Sequence, residues 1–169
     1  RILGNASGFS VEYVDKLAKA SMMHDIGKIM IPEDILDKPS KLTEEEYAIM
    51  KSHTLYGEAL LMKAPGDIMN MARIIAAQHH EKWDGTGYMG LYGAQIAYIS
   101  RLMALADVFD ALTSARKYKR GWDLDETYNE IVNQSGKHFD PEVVDLFVEH
   151  FDEFKEVLEG NPDKILFEK

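Results

Sequence analysis

Apolar residues recur every three to four positions along most of the chain. This spacing predicts a helix after Ser10 that runs into the residues around His24, a second helix after Thr43, and later helices over about 67–82 and 96–114. No segment shows the strict apolar–polar alternation of a half-buried strand. The pattern therefore predicts an all-α fold.

Several helix ends carry recognisable capping residues. Four helix starts have capping residues: Ser10, Thr43 to Glu46, Asp123 to Glu126 and Asp140-Pro141. Pro65-Gly66 should end the single helix that starts after Thr43, and Gly136 should end the helix after Asp123. The helix after Asp140 should carry apolar residues as far as Phe154. At the start of the chain, Arg1-Ile2-Leu3-Gly4 resembles a last helical turn with Gly4 just past its end, so we expect a longer protein.

The length and composition suit one cytoplasmic domain. The 169 residues should form a domain over 1–155 and a polar tail over 156–169. Twenty-nine acidic and 19 basic residues give a net charge of −10, which disfavours binding to a nucleic acid polymer. There is no cysteine for a disulfide or thiolate metal site, and no apolar run approaches the roughly 20 residues of a membrane span.

Histidine and aspartate residues recur at intervals that suit a metal site in a helical bundle. The positions are His24, Asp25, His53, His79, His80 and Asp107. They fall on four successive predicted helices, 29, 26 and 28 residues apart, which leaves room for a helix, a loop and the return. Asp107 lies in an apolar segment, where an unpaired carboxylate would be costly. A core salt bridge is the alternative interpretation for Asp107. We interpret the remaining histidines, His138 and His150, as structural.

Imidazole and carboxylate ligands without sulfur suit Mn, Fe or Zn. Asp25 is placed to bridge two ions, with His24 at one and His53 or His79 at the other. Two ions about 3.5–4 Å apart would share a water, lower its pKa and hold it for attack on phosphorus. Lys28, predicted on the same helix face as His24, would neutralise a phosphate oxygen or protonate the leaving group. The spacing thus predicts metal-assisted phosphoester hydrolysis, although a surface lysine is the alternative for Lys28.

Two further stretches are candidates for substrate contact. Residues 115–120 (ARKYKR) form a dense basic cluster in an acidic chain and are either a phosphate-binding segment or a solvated turn. The loop 84–90 contains three glycines and is either a hinge or a loop that admits substrate. Asp84 would stabilise that loop or contact a guanine base.

Several motifs together resemble a known family. HDIGK at 24–28 and HTLYG at 53–57 resemble the HD superfamily of metal-dependent phosphohydrolases. HHEKWDGTGY at 79–88, followed by DVFDALTS at 107–114, is similar to the HD-GYP subfamily, as is the late motif FDP at 139–141. The resemblance covers about residues 1–150.

This resemblance implies an HD-domain helical bundle that hydrolyses cyclic di-GMP to pGpG or GMP. It implies two or three divalent ions, iron or manganese, with Asp25 and Lys28 as catalytic residues and Asp25 bridging. The implied ligands are the six residues His24, Asp25, His53, His79, His80 and Asp107. Lys28 would contact the scissile phosphate, while Asp84, Gly87, Arg116 and Lys119 would bind substrate.

The chain also departs from the family pattern. Met89 and Lys117 stand where the family usually has proline, and the family draws further ligands from a helix that would precede residue 1. We therefore expect residues 1–155 to be a catalytic domain without its N-terminal helix, joined to a sensory or receiver domain. The alternatives are an inactive cyclic di-GMP receptor or scaffold for a diguanylate cyclase partner, and another HD chemistry such as nucleotide hydrolysis or di-iron oxygenation.

Overall fold

Helices and the loops between them build the described part of the chain, which in this computed structural model comprises residues 1–114 and 121–160. Ten α-helices and two short 3-10 helices occur in it: α1 (Ile2–Ala6), α2 (Val11–Ser21), the 3-10 helix Ile26–Met30, α3 (Glu33–Leu36), α4 (Glu44–Lys51), α5 (His53–Leu61), α6 (Asp67–Gln78), the 3-10 helix Gly93–Gln95, α7 (Tyr98–Thr113), α8 (Leu124–Asn133), α9 (Pro141–Glu149) and α10 (Phe151–Glu159). The predicted all-α fold is confirmed for these residues. None of these helices is long and apolar enough to cross a bilayer.

Two apolar clusters form the core, and α7 contributes to both. Ile99, near the start of α7, packs with buried residues of α2, α5 and α6, among them Ala20 and Ile75. Leu105 and Phe109, about two and three turns further along α7, pack with residues of α8, α9 and α10. Since one rigid helix belongs to both clusters, the N-terminal and C-terminal helices are held against a common element.

The predicted helix starts are confirmed. The Ser10 hydroxyl accepts the Tyr13 N–H at the start of α2. The capping boxes that begin at Thr43 and Asp123 each have both of their hydrogen bonds. Asp140 caps α9, with its carboxylate accepting the Glu142 N–H at 3.0 Å. These contacts are local, and the side chains alone determine them.

Several predicted helix ends are wrong. The helix α2 ends at Ser21, so His24 and Asp25 lie in turns after it and Lys28 lies in the 3-10 helix Ile26–Met30. The helix predicted after Thr43 is divided into α4 and α5 at Ser52, whose N–H donates to the Ile49 carbonyl three residues earlier. A tight turn of this kind redirects the chain and places His53 at the start of a new helix.

Three other boundaries also differ from the prediction. The helix α6 ends at Gln78 instead of about 82, and the last helix is divided into α9 and α10 at His150. At the start of the chain, α1 continues through Gly4 to Ala6. The helix α10 continues past residue 155 to Glu159, and Leu158 packs against the core.

Candidate metal centre

Four separate elements bring the six predicted ligands together. His24 and Asp25 lie in the turn between α2 and the following 3-10 helix, and His53 is the first residue of α5. His79 caps the C-terminus of α6, with His80 directly after it. Asp107 lies in the third turn of α7. Residues far apart in sequence therefore meet where these elements end or cross.

One carboxylate oxygen of Asp25 faces two buried histidines. Asp25 Oδ1 lies 3.3 Å from His53 Nε2 and 3.7 Å from His79 Nε2, and the two imidazole nitrogens are 3.5 Å apart. With His80 included, each residue offers one ligand atom, and these four atoms lie within 4.8 Å of one another. Three nitrogens and one oxygen thus converge on a volume that suits one ion.

The other oxygen of Asp25 faces a second group. Asp25 Oδ2 lies 3.4 Å from His24 Nε2 and 2.6 Å from Lys28 Nζ. His24 Nε2 is in turn 3.6 Å from Asp107 Oδ1. The two oxygens of one carboxylate are therefore divided between two sets of ligand atoms, which is the placement that a bridging carboxylate requires.

Backbone carbonyls orient three of the four histidines. The Nδ1 atoms of His24 and His53 lie 2.8 Å and 2.7 Å from the carbonyl oxygens of Ser21 and Met50. His79 Nδ1 lies 3.1 Å from two carbonyl oxygens of the last turn of α6. A carbonyl can only accept, so each Nδ1 carries the proton and each Nε2 presents its lone pair to the cluster, as metal-bound imidazoles do.

The burial of these groups fits a bound cation. His53 and His79 are each 1% exposed. Asp25 Oδ1 is also buried, and no group in residues 1–114 or 121–160 donates a hydrogen bond to it. A buried carboxylate oxygen without a partner is costly, and a divalent ion between it and the imidazoles removes that cost. These ligand atoms therefore fit bound metal ions.

The protonation states agree with that interpretation. Burial raises the pKa of the Asp25 carboxyl, but contacts with His24, His53, His79 and Lys28 outweigh it and hold that pKa well below its usual range. Burial first, and then the neighbouring His79 and His53, lower the pKa of His80 to about 3. Asp25 is thus ionised and His80 neutral near pH 7, which are the states that bind metal.

A buried glutamate holds the glycine-rich loop beside the cluster. Glu81 is 2% exposed, and its two carboxylate oxygens accept the backbone N–H groups of Met89 at 2.7 Å and Leu91 at 2.8 Å. Gly87 packs so tightly that an added Cβ would lie 2.5 Å from Glu81 Cα. The loop consequently places the Tyr88 ring 4.7 Å from the His80 ring.

Sequence reasoning missed the roles of Glu81 and Tyr88. A carboxylate that directly follows two ligands and precedes a glycine-rich loop was the available signal for Glu81. The loop N–H groups that it accepts come from residues eight and ten positions later, so only the folded loop identifies them.

The other predicted site residues are placed as follows. Lys28 Nζ forms an ion pair with Asp25 Oδ2. Asp84 Oδ1 accepts both the N–H and the hydroxyl of Thr86, at 2.9 and 2.7 Å, which stabilises the loop; its contact with substrate stays a prediction, as does that of Gly87. Arg116 and Lys119 lie outside the described residues.

The two histidines interpreted as structural lie outside the cluster. The His138 ring is stacked on Phe139 with ring centres 4.4 Å apart. His150 Nδ1 lies 2.7 Å from a Glu153 carboxylate oxygen at the junction of α9 and α10.

Comparison with known proteins gives a consistent set of relatives. A family model described as HD domain matches residues 1–143. A Vibrio cholerae protein named 3'3'-cGAMP-specific phosphodiesterase 2 is 43% identical over 162 residues, which cover 95% of this chain and 31% of the relative. A V. cholerae cyclic di-GMP phosphodiesterase is 47% identical over 142 residues, covering 80% of this chain and 29% of that protein. A Thermotoga maritima cyclic di-GMP phosphodiesterase is 42% identical over 158 residues, covering 93% and 43%.

A solved structure shares the fold. The crystal structure of a V. cholerae cyclic GMP-AMP-specific phosphodiesterase superposes with a TM-score of 0.62 at 19% identity, covering 96% of this chain and 42% of the other. The chain spans less than half the length of each of these proteins.

Proposed function

Because this chain belongs to the HD domain family, we propose that it is the catalytic domain of a metal-dependent phosphodiesterase that hydrolyses cyclic di-GMP. The motif at 79–88 agrees with the HD-GYP subfamily, and relatives at 42% and 47% identity are named cyclic di-GMP phosphodiesterases. The products would be pGpG, GMP or both.

One observation carries the proposal. Asp25 Oδ1 faces His53 and His79, while Asp25 Oδ2 faces His24 and Lys28. An isolated structural ion pair needs no such division of one carboxylate between two groups of side chains. Two metal centres that share a ligand do need it.

Six residues would hold the ions. Asp25, His53, His79 and His80 form one group, and His24 and Asp107 join Asp25 on the other side. Bound divalent ions polarise a phosphoryl group and make water a better nucleophile. We propose two or three ions, iron or manganese in preference to zinc.

Lys28 supplies a positive charge at the edge of this cluster. Its ammonium group lies 2.6 Å from Asp25 Oδ2 and its side chain is 39% exposed, so it reaches both the ligands and solvent. It would donate to a non-bridging phosphate oxygen, where negative charge increases in the transition state. Arg116 and Lys119 would add phosphate contacts, and Asp84 and Gly87 would contact substrate.

The domain organisation and partners are also proposals. Residues 1–155 would be the catalytic domain, and 156–169 a polar tail whose first residues continue α10. A sensory or receiver domain would regulate the site, a diguanylate cyclase would be a partner, and the protein would act in the cytoplasm.

A second substrate, 3'3'-cGAMP, is favoured by one specific observation. The V. cholerae relative that aligns with 95% of this chain is named a 3'3'-cGAMP-specific phosphodiesterase. Both substrates contain a guanine and two phosphodiester bonds, so one metal centre would suit either.

Turnover and metal content, measured together, test the proposal. The protein is purified without oxygen, loaded with Mn or Fe, and its metal content quantified before incubation with each cyclic dinucleotide. We expect at least two ions per chain and hydrolysis that Asp25→Asn reduces at least about 100-fold. Asp34→Asn, at an exposed position of α3, is the matched control.

Two results would contradict parts of this proposal. Turnover that survives Asp25→Asn would exclude the bridging role of Asp25. Tight binding of cyclic di-GMP by metal-loaded protein without any turnover would instead indicate a receptor or scaffold.

A further inference from the structure

Tyr47, Lys51 and Tyr88 form an aromatic and cationic cluster at the mouth of the metal centre. The Tyr47 ring meets the Tyr88 ring edge to face, with centres 6.2 Å apart. Lys51 Nζ lies 5.5 Å from the centre of the Tyr47 ring and 6.0 Å from that of Tyr88. We call these three residues the α4 wall, because α4 supplies Tyr47 and Lys51.

The α4 wall is continuous with the proposed metal ligands. Tyr88 lies against His80, with ring centres 4.7 Å apart, and its edge approaches His53 at 6.3 Å. Tyr47 is 46% exposed, while Lys51 and Tyr88 are half-buried. The wall therefore adjoins the proposed ligands His80 and His53 through the Tyr88 ring.

The charge of Lys51 is available to a ligand. In the described ranges, the lysines that pair with carboxylates are Lys16, Lys28, Lys38 and Lys155, and no carboxylate pairs with Lys51. The nearby acid Glu46 is paired with Lys38. Lys51 is also the last residue of α4, where the helix dipole favours a cation. A partly buried ammonium group that lies beside two aromatic rings, with no carboxylate partner in the described ranges, can donate to an acceptor on a ligand.

Tyr47 and Tyr88 each add a phenol hydroxyl, which can donate or accept a hydrogen bond. The wall thus offers flat aromatic surface, an ammonium group and phenol hydroxyls.

These features match a purine base with acceptors on its edge. Guanine presents O6 and N7, both acceptors, whereas adenine replaces O6 with an amino donor. Bases also stack readily on aromatic side chains. We infer that the α4 wall binds a guanine base of the substrate, with Lys51 donating to the O6/N7 edge, and so selects guanine over adenine. This inference rests on the proposed function for its substrate class.

Equilibrium binding of GMP and AMP tests the wall without requiring turnover. Both nucleotides offer the same phosphate to the metal-loaded protein, so their difference in dissociation constant reports the base. We expect wild type to prefer GMP, and Lys51→Met to weaken GMP binding about tenfold with little effect on AMP. Lys51→Arg should retain most of the preference. Lys63→Met, at an exposed position after α5, is the charge-matched control.

Kinetics with cyclic di-GMP provide the second measurement. Lys51→Met should raise KM for cyclic di-GMP more than it lowers kcat, because the base contact is made in both the bound and the transition state. If wild type shows no turnover while Lys51→Met still abolishes the GMP preference, the proposed function fails and the α4 wall stands. If Lys51→Met weakens the binding of GMP and AMP equally, or changes neither, the α4 wall does not select guanine.

Discussion

At the scale of single residues, Glu81 connects the metal ligands to the glycine-rich loop. It is buried directly after His79 and His80, and both of its oxygens accept loop N–H groups. We expect Glu81→Gln to leave one loop N–H facing an amide NH₂, at a cost of about 1–3 kcal/mol in the free energy of unfolding. Because the loop carries Tyr88 and not a metal ligand, kcat/KM should fall while metal content stays unchanged.

Metal analysis and kinetics on the same preparations check this prediction. Glu156→Gln, at an exposed position in α10, is the control and should alter neither quantity. Loss of metal from Glu81→Gln would show that the glutamate positions the ligands directly.

His138 should make the apo protein sensitive to mild acid. Burial first, and then Lys82, lower the pKa of His138 to about 4, against about 6.5 in an unfolded chain. Between these values the unfolded chain binds a proton that the folded chain does not, so the free energy of unfolding falls as pH decreases from about 6.5 to 4.

Urea unfolding of the apo protein at pH 7.5 and pH 5 measures this effect. His138→Gln should lose less stability than wild type between the two pH values. An identical pH dependence in wild type and His138→Gln would contradict the assignment.

At the scale of elements, the 3-10 helix Ile26–Met30 lies directly on α5. A Cβ on Gly27 would lie 1.9 Å from the His53 carbonyl oxygen and 2.4 Å from the Gly57 nitrogen. Gly27→Ala must therefore separate the element that carries Lys28 from the helix that begins with His53. We expect a loss of at least about 3 kcal/mol, at the upper end for overpacking, together with loss of metal.

Denaturant unfolding and metal analysis test the Gly27 prediction. The comparison is Gly4→Ala, where the new Cβ would lie 3.3 Å from a Val14 methyl carbon and alanine favours the helix. That variant should stay within about 1 kcal/mol of wild type. Wild-type stability in Gly27→Ala would mean that the two elements separate without cost.

At the scale of the whole molecule, the proposed ions would join four elements that are distant in sequence. Removing them with a chelator should lower the Tm by about 5–10 °C. This follows because a ligand at 100 times its Kd adds about 2.7 kcal/mol, and each kcal/mol shifts Tm by about 2–4 °C at this size. Thermal unfolding with and without chelator measures the shift. In the Asp25→Asn variant the chelator should change the Tm little. A decrease in Tm as large as that of wild type would mean that the stabilising ions bind elsewhere.

Local chemistry explains which parts of the fold could be predicted. The caps at Ser10, Thr43, Asp123 and Asp140 depend on side chains within three residues of the helix start, so their sequence signals were sufficient. Helix ends were predicted poorly. The breaks at Ser52 and His150, and the end of α6 at Gln78, are not marked by glycine or proline in the sequence.

The sequence by itself determined the helical class, the helix starts and the kinds of ligand, because periodicity, capping and donor chemistry are properties of neighbouring residues. Only the tertiary structure decided that His53 and His79 both face the same Asp25 oxygen, and that Glu81 holds the glycine-rich loop. The physical reason is that these contacts join residues whose separation in space is fixed by packing. Intervals along the chain allow such a meeting without specifying which atoms face one another.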